Sequence, residues 1–124
     1  MNALAAAGWT VRVTGIAMLV LGLLIWANVA RALVSLHMLI GIALVIAIWA
    51  TALLALRSGV KPALPAVAAG WGVVMFVFGM TQAQVLPGEM HVVVEIAHLL
   101  VGIVAIGLGE ALVAAGRRGS AATA

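Results

Sequence analysis

All the ionisable side chains of this chain can be named in one line. Three histidines (His37, His91 and His98), three acidic residues and six Lys or Arg are spread over 124 residues, with no cysteine and no tyrosine. Two of the histidines sit in similar settings. Leu36-His37-Met38-Leu39-Ile40-Gly41-Ile42 and Ala97-His98-Leu99-Leu100-Val101-Gly102-Ile103 share the pattern His-x-Leu-[Ile/Val]-Gly-Ile, 61 positions apart and so about half the chain. Apolar matches come cheaply in so hydrophobic a sequence, so the paired His and Gly carry the information. On a helix, each Gly falls on the same face as its His and one turn further along. Two neutral imidazoles can ligate heme iron from opposite sides, and glycines such as Gly41 and Gly102 make room for a porphyrin plane. Apolar walls suit the hydrocarbon edge of the macrocycle. The alternative is that each His bonds a backbone carbonyl and each Gly aids helix packing.

A second polar group lies just upstream of His98. His91, Glu95 and His98 fall within an arc of roughly 60° on a helix. Glu95 has three candidate roles: orienting His91 or a helix-2 histidine through a hydrogen bond, moving protons to or from a redox site or quinone, or binding metal directly. The last has a concrete form, since Glu95-x-x-His98 matches the unit of di-iron carboxylate bundles. With three acidic residues in all, that form requires a homodimer or a mononuclear site with His37 and His91. His91, near one boundary of its helix, is placed to meet a heme propionate or to replace His98 as ligand, unless it is a plain interfacial residue. Arg31, Gln82 and Gln84 share that side and suit propionate contacts, against the default of loop solvation. Met38, Met75, Met80 and Met90 raise a Cu(I) site. Their spacing is irregular, and core filling is the ordinary use of Met.

The elements that must position these groups follow from composition. The chain is 67% hydrophobic and 7% charged, with a mean hydropathy of +1.35. Soluble domains run near 45–50% apolar and about 25% charged, so a soluble enzyme, a disordered tail and a disulfide scaffold are excluded. Without Cys there is no CxxC redox chemistry, thiolate metal site or c-type heme attachment. The cations are scattered between apolar blocks with no interleaved aromatics, which argues against nucleic acid. A bilayer core about 30 Å thick needs roughly 20 apolar residues per helix, and four stretches qualify. These are about 11–30, 32–56, 65–83 and 90–115, with 116–124 expected as a flexible tail. Ala30-Arg31-Ala32 resembles a signal-peptide cleavage site, but the apolar run before it is longer than a typical signal core, so a retained first helix is expected. Arg12, Arg57, Lys61, Arg117 and Arg118 fall on one side and Arg31 alone on the other. The positive-inside rule then puts both termini in the cytoplasm. Trp9 and Trp26 read as interfacial anchors, Trp49 and Trp71 as packing residues, and Glu110 as a partner for basic residues at the inner boundary.

The expected fold is therefore all-α: an integral membrane four-helix bundle of two repeated helical hairpins, N-in and C-in, in the inner (plasma) membrane. Paired histidines on the second and fourth helices resemble one four-helix half of the heme A synthase family, and small bis-His b-type membrane cytochromes. The substrate-binding half of that family carries a glutamate three residues before its helix-2 histidine. Here that position is Val34, so the resemblance implies one heme b held by His37 and His98. The expected function is electron transfer, or service as a heme-bearing subunit of a larger membrane complex. Partners would be the bilayer, other membrane redox subunits or quinone, and a second copy of the chain. Gly15, Gly22, Gly70, Gly72 and Gly79 suit close packing within or between protomers. Two other readings stand beside it: a cofactor-free assembly subunit, and a proton- or ion-coupled transporter using Glu95. Small multidrug transporters match in size, but their binding glutamate is on helix 1, which here has no acidic residue.

Overall fold

The computed structural model describes residues 2–122. Four helices account for most of them: α1 (Ala3–Trp26), α2 (Val34–Arg57), α3 (Ala63–Thr81) and α4 (His91–Ala122), with no strand among the described residues. All four are long and apolar enough to cross a membrane. The expected spans are recovered, with shifted ends. α1 starts at Ala3 rather than near Val11, because Asn2 caps it by accepting a hydrogen bond from the Ala5 N–H at 2.9 Å, and the alanines that follow are the best helix formers. α4 continues to Ala122 instead of ending near Ala115, so the expected flexible tail is helical over 116–122. Residues 123 and 124 of that tail lie outside the described residues.

The breaks have local causes. α1 ends where Asn28 takes a left-handed φ of 61°, a conformation Asn tolerates better than most residues. α2 ends before Gly59 at φ 82°, and the Val60 N–H reaches back to the Ala55 carbonyl, closing a Schellman-type turn. Pro62 precedes α3, and Pro65 sits in its first turn, where a missing N–H costs nothing. Short 3-10 turns at Arg31–Leu33 and Gln82–Gln84 lead into and out of the loops at one end of the bundle.

Short connections make chain neighbours antiparallel. α1 packs on α2 and α4, α3 packs on α2 and α4, and α2 meets α4 across the middle, while α1 and α3 do not touch. The buried core sits at the end holding the termini and the α2–α3 loop. It takes Leu4, Gly8, Val11 and Gly15 from the start of α1, Leu44 to Ala55 from the second half of α2, and Pro65 to Met75 from α3. α4 adds Ala105, Leu112 and Val113. Toward the other end, where α2 and α4 begin, Val94 is the buried hydrophobic that remains.

Glycines set the α1–α4 seam. Val113 lies against Gly8, Ile106 against Gly15, Val11 against Gly109 and Leu4 against Gly116. A Cβ built on Gly15 would lie 2.7 Å from Ile106 Cγ1, and one on Gly109 2.6 Å from Val11 Cγ1. The seam is closed by a two-pronged ion pair: Arg12 Nε and Nη2 donate to the two Glu110 carboxylate oxygens, each at 2.6 Å. The Arg12 guanidinium also lies over the Trp9 ring, 5.1 Å from its centroid. Trp49 and Trp71 act as packing residues: their indole N–H groups donate to the carbonyls of Ala69 and Val101, tying α2 to α3 and α3 to α4.

Substituting Gly109→Val should overpack this seam and cost about 1–3 kcal/mol. Gly107→Ala, where a Cβ meets nothing within 4 Å, should stabilise by about 0.5–1 kcal/mol through helix propensity. Thermal loss of the helical circular dichroism signal in detergent checks both. Equal effects of the two variants would mean that the seam is not tightly packed.

Candidate functional site: a facing histidine pair

His37 is in the first turn of α2, and His98 lies two turns into α4. Because α2 and α4 occupy the short diagonal of the bundle, the two imidazoles face each other, with ring centroids 6.2 Å apart and planes tilted by 49°. The Nδ1 atom of each ring is buried without a hydrogen-bond partner. A buried polar atom left unpaired costs about 1–3 kcal/mol. Two such atoms on facing rings are unusual for groups that serve packing alone. Phe78 presents its ring to His98 in an edge contact at 5.8 Å.

The glycines beside these rings are not Gly41 and Gly102. A Cβ on Gly41 would meet Met18 Cε at 3.1 Å, and one on Gly102 would meet nothing within 4 Å. Gly22 of α1 and Gly79 of α3 lie against the imidazoles instead. Their Cβ positions fall 3.3 Å from His37 Cε1 and 3.6 Å from His98 Cε1. Each histidine is thus backed by a glycine on the helix that precedes its own. A sequence signal for this pairing exists. Gly15-x-x-Met18-x-Val20-x-Gly22 and Gly72-x-x-Met75-x-Val77-x-Gly79 match at an offset of 57. It lies on helices 1 and 3, away from the histidines that drew attention to helices 2 and 4.

The other candidates are spread out. His91 opens α4, and its Nδ1 lies 3.1 Å from the Val85 carbonyl, so it fastens the loop before α4. Arg31 is exposed at the start of its 3-10 turn. Glu95 is half-buried on α4. The one ion pair among the described residues joins Arg12 and Glu110, as expected for Glu110, and no hydrogen bond links Glu95 to His91 or His37. No three His, Asp or Glu come close enough among the described residues to hold a metal ion together. The mononuclear arrangement of Glu95 with His37, His91 and His98 is therefore not assembled in this chain. Of the four methionines considered for copper, Met75 is in the core, while Met38, Met80 and Met90 are exposed.

The arrangement offers two neighbouring imidazoles, each with a buried unpaired nitrogen. Two imidazoles on opposite sides of one iron, each nitrogen about 2 Å from the metal, hold their centroids roughly 6 Å apart. The observed separation of 6.2 Å is of that size. No protein-family model, curated protein sequence or solved structure matches the chain.

If the pair exists for a ligand rather than for packing, the ligand-free chain should not depend on it. His37→Leu and His98→Leu each remove a buried, unpaired nitrogen and should leave thermal stability in detergent unchanged or raised. A loss above about 2 kcal/mol in either variant, the range of a broken buried network, would assign the histidines a structural role.

Proposed function

We propose that this chain is a membrane-embedded b-type heme protein in which His37 and His98 would hold the iron. The observation that carries the reading is the facing imidazole pair at 6.2 Å, each ring with a buried unpaired nitrogen. Bound there, the heme would supply a reversible one-electron change at iron.

What the chain contributes is position and surroundings. α2 and α4 hold the rings at a fixed separation, while Gly22 and Gly79 let α1 and α3 close in behind them. Phe78 packs its ring edge-on to His98, and bis-His ligation in a low-dielectric surround would set the potential. Glu95, about one turn from His98, is the residue placed to take or give a proton when the charge at the site changes. Both termini would lie in the cytoplasm, with the histidines in the outer half of the inner membrane. The matched glycine, methionine and histidine positions support an origin of the two hairpins by duplication, related by a pseudo-two-fold axis along the membrane normal. Few residues lie outside the helices, so electron donor and acceptor would be met within the bilayer or through the short loops. That suits a redox subunit of a larger complex, or exchange with a quinone.

The deciding experiment is a hemin titration of the detergent-purified chain followed by absorption and low-temperature EPR. A sharp Soret band with a low-spin bis-imidazole signal is expected, and His37→Ala or His98→Ala should abolish it. A colourless protein that takes up no hemin would end this reading. Gly22→Ala should weaken hemin binding more than Gly79→Ala, since its Cβ approaches the imidazole more closely, 3.3 against 3.6 Å.

A further inference from the structure

A second feature lies on the opposite end of the molecule from the histidines. The second half of α2 and the start of α3 enclose an apolar groove on the outer surface, walled by Trp49, Leu53, Leu56, Pro62, Pro65 and Ala66. Its shape is built in. Gly72 lets the Trp49 indole lie flat on α3, where its N–H is held by the Ala69 carbonyl at 3.0 Å. Two prolines stiffen the facing wall.

The groove ends at the α2–α3 loop, and that loop carries charge of one sign. Arg57 follows Leu56 directly and Lys61 precedes Pro62, so both cations flank groove residues in sequence; both are exposed. Neither takes part in an ion pair, since the one pair among the described residues is Arg12–Glu110. The loop contains no acidic residue. Pro62, the residue before α3, gives that helix no side-chain cap. An apolar channel along the bundle surface, with an unpaired cation at the end of each helix that walls it, is complementary to a molecule with a long hydrocarbon chain and an anionic head. In a helix bundle lying in a bilayer, that molecule is a phospholipid.

We propose that this groove binds an anionic phospholipid, with one acyl chain along Trp49, Leu53, Pro65 and Ala66 and the phosphate between Arg57 and Lys61. The proposal rests on the bilayer reading of the four helices, and is independent of heme. Its consequence is that the end of the bundle with the packed core carries a lipid clamp across α2 and α3. These two helices also hold His37 and Gly79 at their far ends.

The test uses the full chain in phosphatidylcholine vesicles doped with brominated lipid, either phosphatidylglycerol or phosphatidylcholine. Quenching of Trp49 is read as the difference between wild type and Trp49→Phe. Each cation near an anionic headgroup is worth roughly a fivefold preference. Half-quenching is therefore expected at a severalfold lower fraction of brominated phosphatidylglycerol than of brominated phosphatidylcholine. Arg57→Gln with Lys61→Gln, both surface changes, should remove that preference, whereas Arg31→Gln should leave it intact. Equal quenching by the two lipids, or a preference that survives the double substitution, overturns the site and leaves the bilayer reading standing. Absence of quenching of any tryptophan by either lipid overturns both. Should Trp49→Phe lose its helical signal, total wild-type quenching compared with the Arg57→Gln/Lys61→Gln chain gives the same decision.

Discussion

Close approach at glycine is the constraint on which this bundle depends. Its helices are apolar on every face, with large hydrophobic side chains exposed along all four, so hydrophobicity alone cannot decide which side of a helix turns inward. Shape has to decide. Where Gly8, Gly15, Gly109 and Gly116 remove a Cβ, a Val, Ile or Leu of the facing helix fits into the space. The gain is in dispersion contacts, each small and collectively large. For helices this apolar, were they set among lipid tails, that would be the main attraction available. The Arg12–Glu110 pair then adds two parallel hydrogen bonds between α1 and α4 in that register.

From that packed end the rest follows by leverage. With α1 clamped to α4, and with α2 tied to α3 by the Trp49 indole, α2 and α4 are left on the short diagonal. The first turn of α2 then meets α4 two turns into that helix at the other end, where few side chains are buried. No hydrogen bond from His37 or His98 Nδ1 ties the helices together. The helices present the histidines. This division explains how two imidazoles with unpaired Nδ1 atoms are tolerated: their desolvation is offset by packing located elsewhere.

Much of this was legible in the sequence, and the remainder had physical reasons to be hidden. Four long helices could be read because sustained apolar runs of about 20 residues favour them, and the His37–His98 relation because histidine is rare here. The ends of α1 and α4 were misread for one reason: hydropathy marks where a bilayer would begin, whereas a cap at Asn2 and the packing of Leu4 on Gly116 mark where the helix does. The glycines that back the histidines were missed because Gly41 and Gly102 are adjacent in sequence, and Gly22 and Gly79 only in space. In a helix that is apolar all round, no amphipathic face indicates which glycine meets which neighbour. Glu95 and His91 share an arc with His98 as the helix geometry requires, yet sharing an arc did not bring them into contact.

The two hairpins agree where they face each other and differ where they pack, and this limits their symmetry. Gly22 with His37 matches Gly79 with His98, and Met18 matches Met75. One turn further Gly15 still matches Gly72 in sequence, but Gly15 receives Ile106 and Gly72 the Trp49 indole. The seam of α1 with α4 relies on glycines and an ion pair, whereas α3 meets its neighbours through the indoles of Trp71 and Trp49. Gly109 and Gly116 of α4 correspond to Ile48 and Ala55 of α2. The inequality reaches the site itself. Phe78 leans its ring on His98, and the matching position on α1 is Leu21; Met18 covers Gly41, while Gly102 is uncovered. Two chemically identical imidazoles therefore sit in unequal surroundings. A centre bound between them would have two distinguishable sides, with the Phe78 ring against His98 alone.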